Sequence, residues 1–78
     1  MYKVIYTKSL DNADSIEAHS NVFDTTINAT QAFDRLVKSL VDEMLQNSYL
    51  DCKMSIHNNK ALIKIESTHH CIVIEGIN

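Results

Sequence analysis

The longest regular pattern in the chain is a stripe of apolar residues between Asn28 and Ser48. Its members recur one, three and four residues apart, which is the spacing of one face of an amphipathic helix. They are Ala29, Ala32, Phe33, Leu36, Val37, Leu40, Val41, Met44 and Leu45. The positions between them are polar or charged, so the opposite face of the helix meets water. The pattern predicts one helix, with Asn28 as its N-cap.

Alternation of apolar and polar residues predicts strands on both sides of this helix. Residues 2–8 alternate and favour a first strand, and residues 16–23 favour a second, less regular one. After the helix, apolar residues at positions 50, 52, 54 and 56 alternate with polar residues, and this alternation predicts a third strand.

The third strand is expected to begin a hairpin. Asn58-Asn59 follows it and predicts a two-residue turn, because Asn tolerates positive φ. This turn places Met54 opposite Ile63, and it brings all the apolar partners to one face of the hairpin. A further tight turn near residues 68–70 leads into a last strand at residues 71–75, whose isoleucines face the same way.

The order of these elements, β-β-α-β-β-β, predicts an α+β fold in which one amphipathic helix packs across one face of an antiparallel sheet. A helix cannot bury its apolar stripe alone, so we expect Phe33, Leu36, Leu40 and Met44 to lie against the sheet. With 78 residues, 45% of them hydrophobic and 22% charged, the chain is expected to form one small domain over residues 1–78.

The sequence features that bear on localisation favour the cytoplasm. No apolar run approaches the ~18 residues that span a membrane, and residues 1–8 are too short and too polar for a signal peptide. Cys52 and Cys71 lack a CxxC spacing and are expected on opposite faces of the sheet, which argues against a disulfide between them. Two unpaired thiols fit a reducing compartment.

The histidines and cysteines raise the question of a metal or catalytic site. His57 and His69 are expected at opposite ends of the hairpin, about 26 Å apart, and the adjacent His69 and His70 point to opposite faces of a strand. Zinc needs three or four convergent ligands, and Cys71 beside His70 has no third group to orient the pair. We therefore expect solvated turn histidines, no metal, no cofactor and no enzymatic activity.

Residues 9–28 contain four carboxylates, Asp11, Asp14, Glu17 and Asp24, and no Lys or Arg. One interpretation is a solvated acidic loop. The other is an acidic surface that docks on a basic protein partner, as a nucleic-acid mimic does. Direct binding to nucleic acid is disfavoured, because the chain carries a net charge of −3 and no basic stripe.

The outer face of the sheet, away from the helix, is the second candidate surface. Ile5, Leu62, Val73 and Cys71 are expected on this side. Such residues are either scattered among screening Lys and Glu side chains, which is ordinary, or contiguous, in which case they form a docking or self-association patch.

These features favour a non-enzymatic module that occupies a surface of a larger cytoplasmic protein or nucleoprotein, with no membrane contact. In its small size, its acidity and its lack of catalytic residues the chain is similar to small phage-encoded inhibitors of host defence, anti-CRISPR proteins among them. That resemblance covers general character and rests on no motif; it implies an inhibitor or modulator encoded by a virus. The alternative hypothesis is a structural or regulatory homodimer that assembles through the sheet.

Overall fold

The computed structural model describes residues 1–11, 16–46 and 51–77. These form five strands and one helix in the order expected from the sequence. In chain order they are β1 (Tyr2–Leu10), β2 (Ile16–Phe23), α1 (Thr26–Gln46), β3 (Cys52–His57), β4 (Lys60–Ile65) and β5 (Thr68–Gly76). The predicted α+β fold is therefore confirmed. The expected helix end at Asn47-Ser48 lies outside the described residues.

All five strands belong to one antiparallel sheet in the order β2-β1-β5-β4-β3. The last strand of the chain, β5, lies at the centre between β1 and β4. The predicted hairpin register is confirmed, because His57 lies opposite Lys60 and Met54 lies opposite Ile63. The two outermost strands are β2 and β3.

The turn between β4 and β5 lies earlier in the chain than predicted. It consists of Glu66-Ser67, and Thr68 already pairs with Ile65. The prediction of a turn near residues 68–70 was wrong because Glu66 adopts a positive φ of 54°, a conformation that Gly and Asn usually signal. The pairing of β4 with β5 differs from the predicted register by an even number of residues. The residues of β5 that were expected to face inward therefore still do so.

The helix begins three residues earlier than predicted. Its N-cap is Thr25, whose Oγ1 accepts a hydrogen bond from the backbone N–H of Asn28 at 3.2 Å. The Thr25 carbonyl accepts the backbone N–H of Ala29 at 3.1 Å. Asn28 therefore lies inside the first turn as a donor and is not the cap. Thr and Asn both suit an N-cap, and the cap is Thr25, which lies two residues after the end of β2.

The core lies between α1 and the inner face of the sheet, where the helix packs mainly over β1 and β5. Its buried apolar residues are Val4, Ala29, Phe33, Leu40, Ala61, Ile63, Ile65 and Ile72. Burial of Phe33 and Leu40 is confirmed, while Leu36 and Met44 are partly buried against the same cluster. Each fully buried large side chain contributes about 1.5–3 kcal/mol relative to exposure. No helix of the described chain combines the length with the apolar character that crossing a bilayer requires.

Candidate protein-binding surface

The described carboxylates of the acidic segment do not share one surface. Asp11 follows β1 and accepts a hydrogen bond from Nε2 of His69, and this bond lowers the pKa of the Asp11 carboxyl. Glu17 lies at the inner face of β2, opposite Lys8. Asp24 follows the other end of β2, about 24 Å further along the strand. The described carboxylates therefore point to different parts of the surface, and Asp14 lies outside the described residues.

The apolar residues expected on the outer face are contiguous. Ile5 on β1 lies directly opposite Val73 on β5, and Cys71 on β5 lies directly opposite Leu62 on β4. We call these four residues the outer apolar group. In the part of the chain that the structure describes, the helix packs on the other face and nothing covers this one. Leu62 is 45% exposed, and its three companions are half-buried.

Lysines border this group on the β3 and β4 side. Strand alternation places Lys53, Lys60 and Lys64 on the outer face, with Lys60 opposite Val73 and Lys53 opposite Lys64. We call these three residues the lysine rim. A depression of about 690 Å³ lies on the same part of the face, lined by Leu62 and Cys71 in its centre and by Lys53 and Lys64 at its side.

The outer face collects more positive charge than the sequence suggests. Together with Lys3 on β1, it holds four of the seven basic residues of the chain. Among the outward positions of the five described strands, Glu75 is the only carboxylate, and it pairs with Lys3. Three further carboxylates border the rim from beyond the strand ends. They are Asp11, which binds His69, Asp51, which precedes β3, and Glu66, which follows β4 and whose N–H donates a hydrogen bond to the Asp51 carbonyl.

The lysine rim is only partly compensated by carboxylates of the chain. Lys53 and Lys64 lie directly opposite each other, an arrangement of like charges that costs roughly 0.2–1 kcal/mol in a sheet. The hydrogen bond from His69 lowers the pKa of the Asp11 carboxyl, and the attraction of Lys64 contributes to this lowering. A carboxylate supplied from outside the chain would relieve this repulsion.

Aromatic rings are placed on the helix side of the sheet. Tyr2, Tyr6, Phe23 and Phe33 all pack in or against the core. Proteins that bind single-stranded nucleic acid on a sheet stack bases on exposed aromatic side chains. The described part of the outer face offers no Phe or Tyr for such stacking, which distinguishes it from a base-binding platform.

A buried histidine is the one feature of chemical interest that sequence reasoning missed. His70 is only 5% exposed, and its Nδ1 is hydrogen-bonded to the Tyr6 hydroxyl at 2.7 Å. The two rings stack with centroids 5.8 Å apart. Burial lowers the pKa of His70 and raises that of Tyr6. The expectation of solvated turn histidines was therefore wrong for His70, because the earlier turn places both His69 and His70 within β5.

The signal for this burial was present in the alternation of β5. His70 is in phase with Ile72 and Ile74, which were expected to face inward. A pocket of about 430 Å³ adjoins the pair and is lined by Lys8, Glu43 and Thr68 among others. Titratable groups with shifted pKa values in a pocket are common in active sites. Here the histidine and the tyrosine satisfy each other's hydrogen bond, as buried polar pairs in cores do.

The described geometry bears on metal ligation and on disulfide formation. Among residues 1–11, 16–46 and 51–77 no three His, Cys, Asp or Glu side chains lie close enough together to hold a metal ion. Cys52 and Cys71 are free thiols, and they lie on opposite faces of the sheet, as their positions in β3 and β5 predict.

Comparison with known proteins adds no relative to this description. No family model matches the chain, and no curated protein and no solved structure is similar enough to count as a match.

Proposed function

We propose that this chain is a non-enzymatic module that docks through the outer face of its sheet on an acidic surface of a larger cytoplasmic protein. The observation that carries the proposal is the outer apolar group, which is contiguous across β1, β5 and β4 and is covered by no described element. Docking on a partner buries these residues. Occupation of the partner's surface then inhibits or modulates it.

The arrangement of the outer face fits the anatomy of a protein interface. Such interfaces have an apolar centre and a polar rim that stays in contact with water. Here the outer apolar group forms the centre, and the lysine rim forms one border. Charges at a rim act mainly on the rate of association and its salt dependence. The sign of this rim favours an acidic partner, the opposite of the basic partner that the acidic segment suggested.

A protein suits this surface better than a nucleic acid does. The exposed centre is aliphatic, with Leu62 as its most exposed member, and none of the described Phe or Tyr side chains lies on it. The chain as a whole carries a net charge of −3, which repels phosphate at long range. Two free thiols are compatible with a partner in a reducing compartment.

The test is partner capture from native host cytoplasm with a matched pair of leucine variants. Leu62→Asp puts a charge into the centre of the outer apolar group. Leu45→Asp puts the same charge on α1, at a side chain that is already 71% exposed. We expect one protein to be enriched by the wild type and by Leu45→Asp, and to be lost with Leu62→Asp. Equal capture by all three, or equal loss with both variants, would contradict the proposal. Circular dichroism confirms that each variant is folded.

A further inference from the structure

The sheet ends in two unpaired edge strands, and the longer one is the most exposed element of the protein. Every residue of β2 is exposed except Phe23. Its two large aliphatic residues, Ile16 and Val22, are 66% and 51% exposed. In the described residues no strand pairs with its second edge. An open edge of eight residues is a template for another strand.

The backbone of β2 determines which residues meet such a strand. Hydrogen bonds join Met1 to Ile77 and Asp11 to Ser67 across the ends of the β1–β5 pair. Hydrogen-bonded pairs alternate along an antiparallel ladder. Because Met1 and Asp11 bond to the residues that flank β5, the backbone groups of the odd residues of β1 point to β5, and those of its even residues point to β2. In β2 the odd residues are then bonded to β1. The N–H and C=O groups of the even residues, Ile16, Ala18, Ser20 and Val22, point to the open edge.

We propose that β2 pairs antiparallel with β2 of a second copy of this chain, with His19 on the two-fold axis. This register is the one in which all four even residues of each copy find hydrogen-bonding partners. It places Ile16 opposite the second copy's Val22, and Ala18 opposite its Ser20. The apolar pairs then fall on the outer face of a continuous ten-stranded sheet, and both helices lie on the other face.

The charges of β2 are compatible with this self-pairing. Its one charged residue, Glu17, lies opposite Asn21 of the second copy and four residues along the ladder from the other Glu17. The open edge of β3 differs, because Lys53 lies on it and Lys64 lies behind it. Self-pairing at β3 brings two lysine rims together, and like charges at close range oppose association. The structure therefore assigns self-association to β2 and leaves β3 and the outer apolar group open.

The first test is sedimentation of the whole chain at concentrations from about 1 µM to about 1 mM, where weak interfaces dissociate. We expect a concentration-dependent dimer. Ser20→Pro removes an N–H that points to the open edge, so the β1–β2 ladder stays intact. Two intermolecular hydrogen bonds are lost per dimer, and the dissociation constant should rise on the order of thirtyfold. Met54→Pro makes the equivalent change at the edge of β3 and should leave the dimer unchanged.

A second variant preserves the backbone in case proline unfolds the strand. Ala18→Glu with Ser20→Glu gathers four carboxylates at the centre of the dimer and should yield a monomer of native fold. A chain that is monomeric at about 1 mM, or a dimer that Met54→Pro weakens while Ser20→Pro does not, would overturn the proposal.

The register has its own test by oxidative cross-linking in a Cys52→Ser, Cys71→Ser background. His19→Cys places two thiols directly across the axis, within the separation that a disulfide spans. Ser20→Cys places them diagonally, with Cα atoms about 8 Å apart, which is beyond that separation. We expect dimer formation with His19→Cys and little with Ser20→Cys. The reverse order would contradict the assigned register.

Discussion

The two faces of the sheet contain similar apolar residues, which are buried on the inner face and uncovered on the outer face. On the inner face, Ile63 and Ile72 lie under α1 and are almost fully buried. On the outer face, the neighbours of these residues, Leu62 and Val73, are uncovered and stand next to lysines. The inner residues hold the fold together, since they are removed from water in the free protein. We expect the outer residues to contribute less to the fold, since no described element covers them.

Polar groups follow the same division. The only buried polar side chain of the described core is that of His70, and it is bonded to Tyr6. The outer face has Lys53 directly opposite Lys64, an arrangement that a protein optimised for stability alone would avoid. We therefore expect the inner face to determine stability and the outer face to determine association.

One leucine-to-alanine pair compares the faces directly. Leu40→Ala deletes a buried side chain and leaves a cavity, so it should lower the free energy of unfolding by ~2–5 kcal/mol. Leu62→Ala deletes the same atoms from the exposed outer face and should cost about 0.5 kcal/mol or less. Urea titration followed by circular dichroism measures both. Similar losses for the two variants would mean that the outer face is structural.

The buried histidine gives the core a dependence on pH. Burial lowers the pKa of His70 in the folded protein below its ordinary value of about 6.5. The unfolded chain therefore takes up this proton first. The stabilising effect of keeping His70 neutral is fully present above about pH 6.5 and is lost as the pH falls through that value towards the folded pKa, at no more than ~1.4 kcal/mol per pH unit.

Unfolding free energies at pH 7.5 and pH 5.5 measure this effect. We expect the wild type to be less stable at the lower pH and His70→Gln to show a smaller difference between the two. The matched control is His57→Gln, which changes an exposed histidine on β3. A pH dependence that His57→Gln abolishes and His70→Gln leaves intact would contradict the role assigned to the buried ring.

Much of the fold was predictable because its signals are local. Asn58-Asn59 and the alternation on either side of it determine the hairpin register, and the apolar stripe determines the buried face of α1. The turn at Glu66-Ser67 was missed because glutamate gives no sign of a positive φ. The burial of His70 was missed with it. The central position of β5 depends on pairing with β1, which is far away in the sequence.

The candidate surface was only half predictable for a related reason. The four residues of the outer apolar group follow from alternation alone. Their contiguity does not, because Ile5 and Val73 meet only when β1 and β5 pair. The facing lysines Lys53 and Lys64 follow from the hairpin register that the turn predicts. The acidic segment is continuous in sequence and conspicuous there, but its described carboxylates separate when β2 forms.

Removal of the helix cap should have a smaller effect on stability, and it distinguishes the observed cap, Thr25, from the predicted one, Asn28. Thr25→Ala removes the oxygen that accepts the N–H of Asn28, and it should lower the free energy of unfolding by about 1 kcal/mol. Asn28→Ala removes the side chain that the sequence pattern predicted as the cap and should change stability by less than about 0.5 kcal/mol. The same urea titrations measure both variants, and a larger loss for Asn28→Ala would restore the predicted cap.

We expect the lysine rim and not the acidic segment to steer the partner, and stopped-flow association with the captured partner measures this steering. Lys53→Glu with Lys64→Glu reverses the rim, Asp11→Lys with Glu17→Lys reverses described carboxylates of the acidic segment, and Lys38→Glu on the exposed face of α1 is the control. The account predicts association about tenfold slower for the rim variant only, and a wild-type rate that falls as salt rises. Slower association for Asp11→Lys with Glu17→Lys, together with an unchanged rate for the rim variant, would contradict it.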